Sequence, residues 1–254
     1  MSDQIELNQR RIYLMVIVSA ITVFVIVGGV LFLAGLGWLG LVVGAVAAAV
    51  ATALAYFSSD RVAMGSVQAV PFSGPAAARL TNVLDGLCVA AGIERPPLLV
   101  VEDPAINAFA VGRGPHESSV VVTSGLAENL NRVEIEAVMA HVLASVQCHD
   151  AAVMTVAATF VGRGLAPLGA VANKVMVHMV PPEQKILADR AGMELTRYPP
   201  AMVAALRKIR DHKLVVRGAS RATAQLWFEP PMDIGGASTP RLTLDERISA
   251  LQEL

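Results

Sequence analysis

From Ile12 to Ser59 the chain carries no Asp, Glu, Lys, Arg or His, an uncharged run of 48 residues. As one helix it would stretch about 72 Å, against a bilayer hydrocarbon core of about 30 Å, so it must cross twice or fold back within the membrane. The break falls at "GLGWLG" (35 to 40), where three glycines weaken helix and Trp38 suits the lipid-water interface. Two spans follow, about 12 to 34 and about 41 to 57, after a short tail at 1 to 11. A cleaved secretory signal would have a shorter apolar core, ending at a small-residue cleavage site rather than in a second span. Arg10 and Arg11 precede the first span, Arg61 follows the second, and the turn between them is uncharged. The positive-inside rule then predicts a multi-pass protein of the cell membrane, with its N-terminus and main domain cytoplasmic. The bilayer is the first partner. Small residues in "GAVAAAVATALA" (44 to 55) suit tight packing, either against a membrane-protein partner or within the hairpin.

Beyond Ser58 the composition becomes that of a mixed domain, 58 to 254. Net charge is -1, which gives no electrostatic case for nucleic acid. Two cysteines, Cys88 and Cys148, suggest a reducing compartment and no disulfide framework. Leu80, Val83, Leu84, Leu87 and Val89 have helical spacing, and Gly92 closes that helix. "PPLLVVED" (96 to 103) reads as a buried strand; 107 to 130 reads as two strands around a Gly/Pro turn, then a helix start. Further helices are predicted from Asn131, over 183 to 197, after Pro199 and Pro200, and from a cap near Thr243. Residues 151 to 182 are apolar but interrupted by Arg163, Pro167 and Lys174, which favours a buried or membrane-interfacial segment over a full span. The fold class is α+β, mainly helical with a small sheet, behind an N-terminal transmembrane hairpin.

The helix after Asn131 reads "EIEAVMAHVLASVQCHD" (134 to 150). A zinc peptidase helix needs His at i and i+4, stacked on one face to reach one ion, with Glu at i+1 to activate water. Here the series is His141, Val142, Leu143, Ala144, Ser145. Taken with "NAFAVGRG", "VVVTSGL", "LADRAGMELTRYPPAMVAALRKI" and "LDERISALQEL", it closely resembles the HtpX family of membrane zinc metalloproteases, the group that also holds the CAAX prenyl protease.

That resemblance implies a zincin-like domain and a site residue by residue. The first zinc-binding His matches His141; the catalytic Glu falls on Val142, the second His on Ser145 and the glutamate ligand on Lys185, four residues before Asp189. A family His after "ST" falls on Pro240, following Ser238 and Thr239. Serine is a poor neutral ligand, lysine places an ammonium where a dication would sit, and valine cannot take a proton from water. Cys148 and His149 lie about 10 to 12 Å along the helix from His141, too far to share an ion with it. The expectation is therefore no metal, no cofactor and no catalytic residue, with His141 and Asp189 as a vestigial metal site and Lys185 filling the metal position, its charge balanced by Asp189 or another carboxylate. Zinc returns only if the chain is instead an active metalloendopeptidase with atypical ligands. The resemblance also makes Ala108, Phe109, Ala110, Val111 and Gly112 an edge strand that an extended peptide could join, or else plain sheet core. The functional expectation is a membrane-anchored pseudopeptidase: a binding, scaffolding or accessory subunit of a membrane complex.

Overall fold

A computed structural model describes residues 2–65, 67–163, 175, 178–217, 219–220, 223–231 and 242–253. The uncharged run folds as expected into two helices long and apolar enough to cross a bilayer. They are α1 (Ser2–Leu31) and α2 (Trp38–Phe57), joined by a wide helical turn over Phe32–Leu36. The reversal uses positive φ at Gly35 (96°) and Gly37 (53°), a conformation that side chains with a Cβ resist. α1 starts about ten residues earlier than the predicted span. Its first turns are not a loose tail but a strut, because Asn8, Ile12 and Met15 are buried against the following domain.

Gly40, Gly44, Ala48 and Thr52 are the buried residues of α2, one per turn, and they face α1. A Cβ added at Gly44 would lie 2.4 Å from the Gly28 Cα, so the helices touch backbone to backbone. The small-residue face is thus used up inside the hairpin. Val43, Val46, Val50 and Leu54 remain exposed on α2.

A short helix α3 (Ser59–Met64) leads into a four-stranded sheet of order β1-β2-β4-β3. β1 (Val70–Pro71) pairs antiparallel with β2 (Leu98–Val101), β2 parallel with β4 (Ser118–Thr123), and β4 antiparallel with β3 (Ala108–Gly112). Alternation along the strands sends Ala108, Ala110, Val120 and Val122 into one core, and Phe109, Val111 and Val121 into another. Both faces are covered, which explains why "VVV" reads as an unbroken apolar run.

The first core is filled by α4 (Pro75–Ala91), α6 (Arg132–Gln147), α9 (Pro199–His212) and α10 (Leu244–Gln252); α5 (Ser124–Asn129) leads from β4 into α6. α6 opens with the expected reciprocal cap: Glu134 N donates to Asn131 Oδ1 at 3.0 Å and Asn131 N to Glu134 Oε2 at 2.8 Å. After His149, in the left-handed region at φ 61°, the chain bends 75° into α7 (Asp150–Ala157). α7 is buried throughout, in the second core with residues of α1, α3 and β3. That part of the apolar stretch 151 to 182 therefore meets protein rather than lipid, while 164–174, with Pro167 and Lys174, lie outside the described residues. α8 (Glu183–Thr196) lies across α6, and a 3-10 turn (Ala224–Leu226) leads Trp227 to the edge of β3.

Candidate functional site: a buried His-Asp-Arg relay

α6 presents His141 and Ser145 one turn apart, and α8 presents Lys185 and Asp189 one turn apart. The two pairs meet because Gly192, on the next turn of α8, lets the helices close: a Cβ there would stand 2.8 Å from the His141 backbone nitrogen. His141 Nδ1 then lies 2.7 Å from Asp189 Oδ1. The pairing read from the sequence is present.

Asp189 has a second partner. From α10, Arg247 Nε donates to Asp189 Oδ2 at 2.9 Å and Nη2 to Oδ1 at 2.8 Å, a two-pronged grip suited to a planar carboxylate. Arg247 Nη1 reaches the Phe228 carbonyl at 3.0 Å, and its guanidinium lies 4.5 Å from the centre of the Phe228 ring. The same ring meets His141 edge-on at 4.6 Å. Burial alone would raise the Asp189 pKa, but Arg247 and His141 outweigh it and hold the carboxyl ionised, at about 2. Burial pushes His141 the other way, down to about 4 against the pull of Asp189, so the ring is neutral at pH 7. A carboxylate can only accept, so Nδ1 carries the proton and Nε2 is left as an acceptor.

Arg247 was not singled out from the sequence. The signal was there: Leu244, Arg247, Ile248 and Leu251 share one face of α10, so the arginine stands on the apolar side of an amphipathic helix.

Lys185 does not point into solvent. Its Nζ donates to the Trp227 carbonyl at 2.5 Å. Both Asp189 oxygens are taken by Arg247 and His141, so of the expected carboxylates Glu229, ahead of Asp189 and Asp150, does most through space to favour the charged amine. Burial, then Arg247, pulls the Lys185 pKa down to about 7. Ser145 Oγ donates into its own helix, to the Val142 carbonyl at 2.7 Å, and Val142 is buried in the first core.

A tetrahedral zinc wants three or four imidazole, thiolate or carboxylate donors. The meeting point offers one imidazole, a hydroxyl bonded to its own helix and a lysine. Asp189 is spent on Arg247, and burial raises the Cys148 thiol to about 11, away from thiolate. Among the described residues no group of three or more His, Cys, Asp and Glu could hold a metal ion. The residues do not fit zinc. Ser238, Thr239 and Pro240 lie outside the described residues.

Ala108 to Gly112 do form the terminal strand of the sheet, and of the two expectations for them the burial favours sheet core over an open edge. All five residues are buried. Trp227 forms an antiparallel bridge to Phe109, Phe228 N donates to the Ala108 carbonyl at 2.7 Å, and Asn107 Nδ2 holds the Glu229 carbonyl at 2.7 Å. At the other end Gly112 N donates to Thr155 Oγ1 on α7 at 3.1 Å. The chain covers its own edge strand, since a bare row of amides beside an apolar sheet is costly.

A second polar cluster, absent from the sequence reading, adjoins the first. Asn8 of α1 donates through Nδ2 to Asp150 Oδ1 at 2.6 Å and to the Cys148 carbonyl at 2.7 Å. Burial raises the Asp150 pKa to about 6. Between about pH 6 and 4 the folded state therefore takes up a proton at Asp150 that the unfolded chain does not, and stability rises on acidification. His141 acts oppositely: between about pH 6.5 and 4 the unfolded chain gains the proton, and stability falls. His149, lowered by burial, adds to that fall. Asp150→Asn removes the compensating group, so its melting temperature in detergent should drop more steeply than that of the natural chain from pH 6.5 to 4.5. Parallel curves would refute the assignment.

With this geometry in view, comparison with known proteins is direct. The profile of Peptidase family M48 matches residues 76–254. The chain belongs to peptidase family M48. Full-length relatives include a protease HtpX homolog of Dictyoglomus thermophilum, 29% identical over 285 residues, covering 98% of this chain and 93% of the relative. Another, from Streptococcus pneumoniae, is 26% identical over 298 residues and covers 99% of both chains. As an HtpX-like member of M48 the chain joins two helices long and apolar enough to cross a membrane to a zincin-like helix-sheet domain, and the resemblance drawn from its motifs holds.

Proposed function

We propose that this M48 member is a membrane-anchored pseudopeptidase, a non-catalytic binding, scaffolding or accessory subunit of a membrane protein complex that uses no zinc. The observation that carries the reading is Lys185, tied to the Trp227 carbonyl at the position where the resemblance calls for a carboxylate ligand. An amine fixed there competes with a dication for the same space, and Val142 supplies no base. Orientation rests on Arg10, Arg11 and Arg61, which favour a cytoplasmic N-terminus and domain in a multi-pass cell-membrane protein. Because the small-residue face of α2 is spent on α1, a membrane partner would dock on the outer faces of the hairpin. An extended peptide would have to displace Trp227 from β3 first.

The second reading, an active zinc metalloendopeptidase with atypical ligands, is favoured by the names of the relatives, which are called proteases. Metal analysis of the detergent-purified full-length chain separates the two. The natural chain should carry substoichiometric zinc, while a Val142→Glu, Ser145→His, Lys185→Glu triple variant takes up one ion. Stoichiometric zinc in the natural chain would overturn the pseudopeptidase reading.

A further inference from the structure

We infer that the pocket between α6, α7 and α8 binds a single ordered water molecule, which cross-links α6 and α8 at the position the resemblance gives to a metal. The inference rests on the pseudopeptidase reading and says what takes the metal's place. The pocket is about 20 Å³ and is lined by His141, Ser145, Asp150, Gln184, Lys185 and Gln225, together with apolar residues. A water needs roughly 10 to 15 Å³ and two to four polar partners, so the space takes one water and no organic ligand.

The chemistry of the lining fits water and fits little else. Gln184 is buried, and its Oε1 has no hydrogen-bond partner among the described residues. Its amide nitrogen is directed to Asn8 Oδ1 at 3.4 Å, so the oxygen is the atom left in need of a donor. His141 lines the same pocket with its Nδ1 proton committed to Asp189, so its Nε2 is likewise an acceptor. Lys185 keeps at least one N–H in either protonation state after bonding Trp227. Among the polar groups that line the space, with Asp150, Ser145 and Gln225 beside them, these two acceptors and one donor are what a water molecule satisfies, giving two protons and accepting one. An anion would meet the Asp150 carboxyl and the two acceptors; a metal dication would meet the Lys185 amine.

The bridge would join α6 through His141 to α8 through Gln184 and Lys185. Through Gln184 it would also reach Asn8 and hence α1. A helix contact that a metal would make by coordination is made by hydrogen bonds, and it no longer depends on metal supply.

The test is a crystal structure of the full-length protein at a resolution that shows ordered water, with data on both sides of the zinc absorption edge. One peak within hydrogen-bonding distance of Gln184 Oε1, without anomalous signal, is expected. In Gln184→Leu the peak should vanish while the His141, Asp189 and Arg247 contacts persist. A dry pocket in the natural chain, or a peak that survives in Gln184→Leu, would overturn the water bridge and leave the pseudopeptidase reading standing. An anomalous peak at the zinc edge would overturn both.

Discussion

Arg247→Met should cost the fold about 3–5 kcal/mol, the range for removing one partner of a buried ion pair. Methionine keeps most of the length and apolar contact of the arginine stem, so the loss reports the guanidinium. Asp189, fully buried, would keep His141 as its remaining side-chain partner, and the Phe228 carbonyl would lose a donor. Urea unfolding in detergent reads the change. Adding Asp189→Asn should recover much of it, because the stranded charge is then gone and the amide can still accept from His141. A loss below about 1 kcal/mol would mean that Arg247 is solvated in solution and that the relay is not structural.

Trp227→Ala should cost a similar amount, about 3–5 kcal/mol for truncating a large buried aromatic. Trp227 is fully buried and stacks on Phe109 with ring centres 4.5 Å apart. Its indole Nε1 has no hydrogen-bond partner among the described residues, so Trp227→Phe forfeits none of their bonds and should cost clearly less than the alanine change. The alanine variant should also open the edge of β3: amide exchange at Ala110, whose N–H lies on the Trp227 side of the strand, should quicken in Trp227→Ala and stay slow in Trp227→Phe. Equal costs for the two substitutions would show that ring packing does not hold the strap in place.

Much of this molecule was readable from the sequence because its signals are local. The uncharged run and its glycines fixed two helices and a turn; Asn131 with Glu134, and a cap near Thr243, marked helix starts, and the structure closes both with reciprocal bonds, the second to Glu246. The spacing of His141, Ser145, Lys185 and Asp189 put two pairs on two helix faces. What was missed lies far apart in the chain. Arg247 is 58 residues from Asp189, and Asn8 is 142 from Asp150. Nothing in a short window says that an asparagine ahead of an apolar span will insert into the helix-sheet domain, or that Trp227 will bridge to a strand 118 residues earlier. Whether the β3 edge is open or covered stayed undecided for the same reason: alternation shows that a strand has two covered faces, but not what lies alongside it.

The unbroken passage of α1 from lipid to Asn8 has a mechanical consequence. Asn8 precedes Ile12, where the uncharged run begins, by about 6 Å of helix, and no glycine or proline interrupts the stretch between them. With no joint there, the domain is not tethered like a float on a line; its tilt is set by that of the first span. Anything that rocks α1 in the bilayer, such as a neighbouring subunit or a change in lipid thickness, is transmitted as torque to Asp150 and the helices beside it. A fragment lacking α1 would lose that lever.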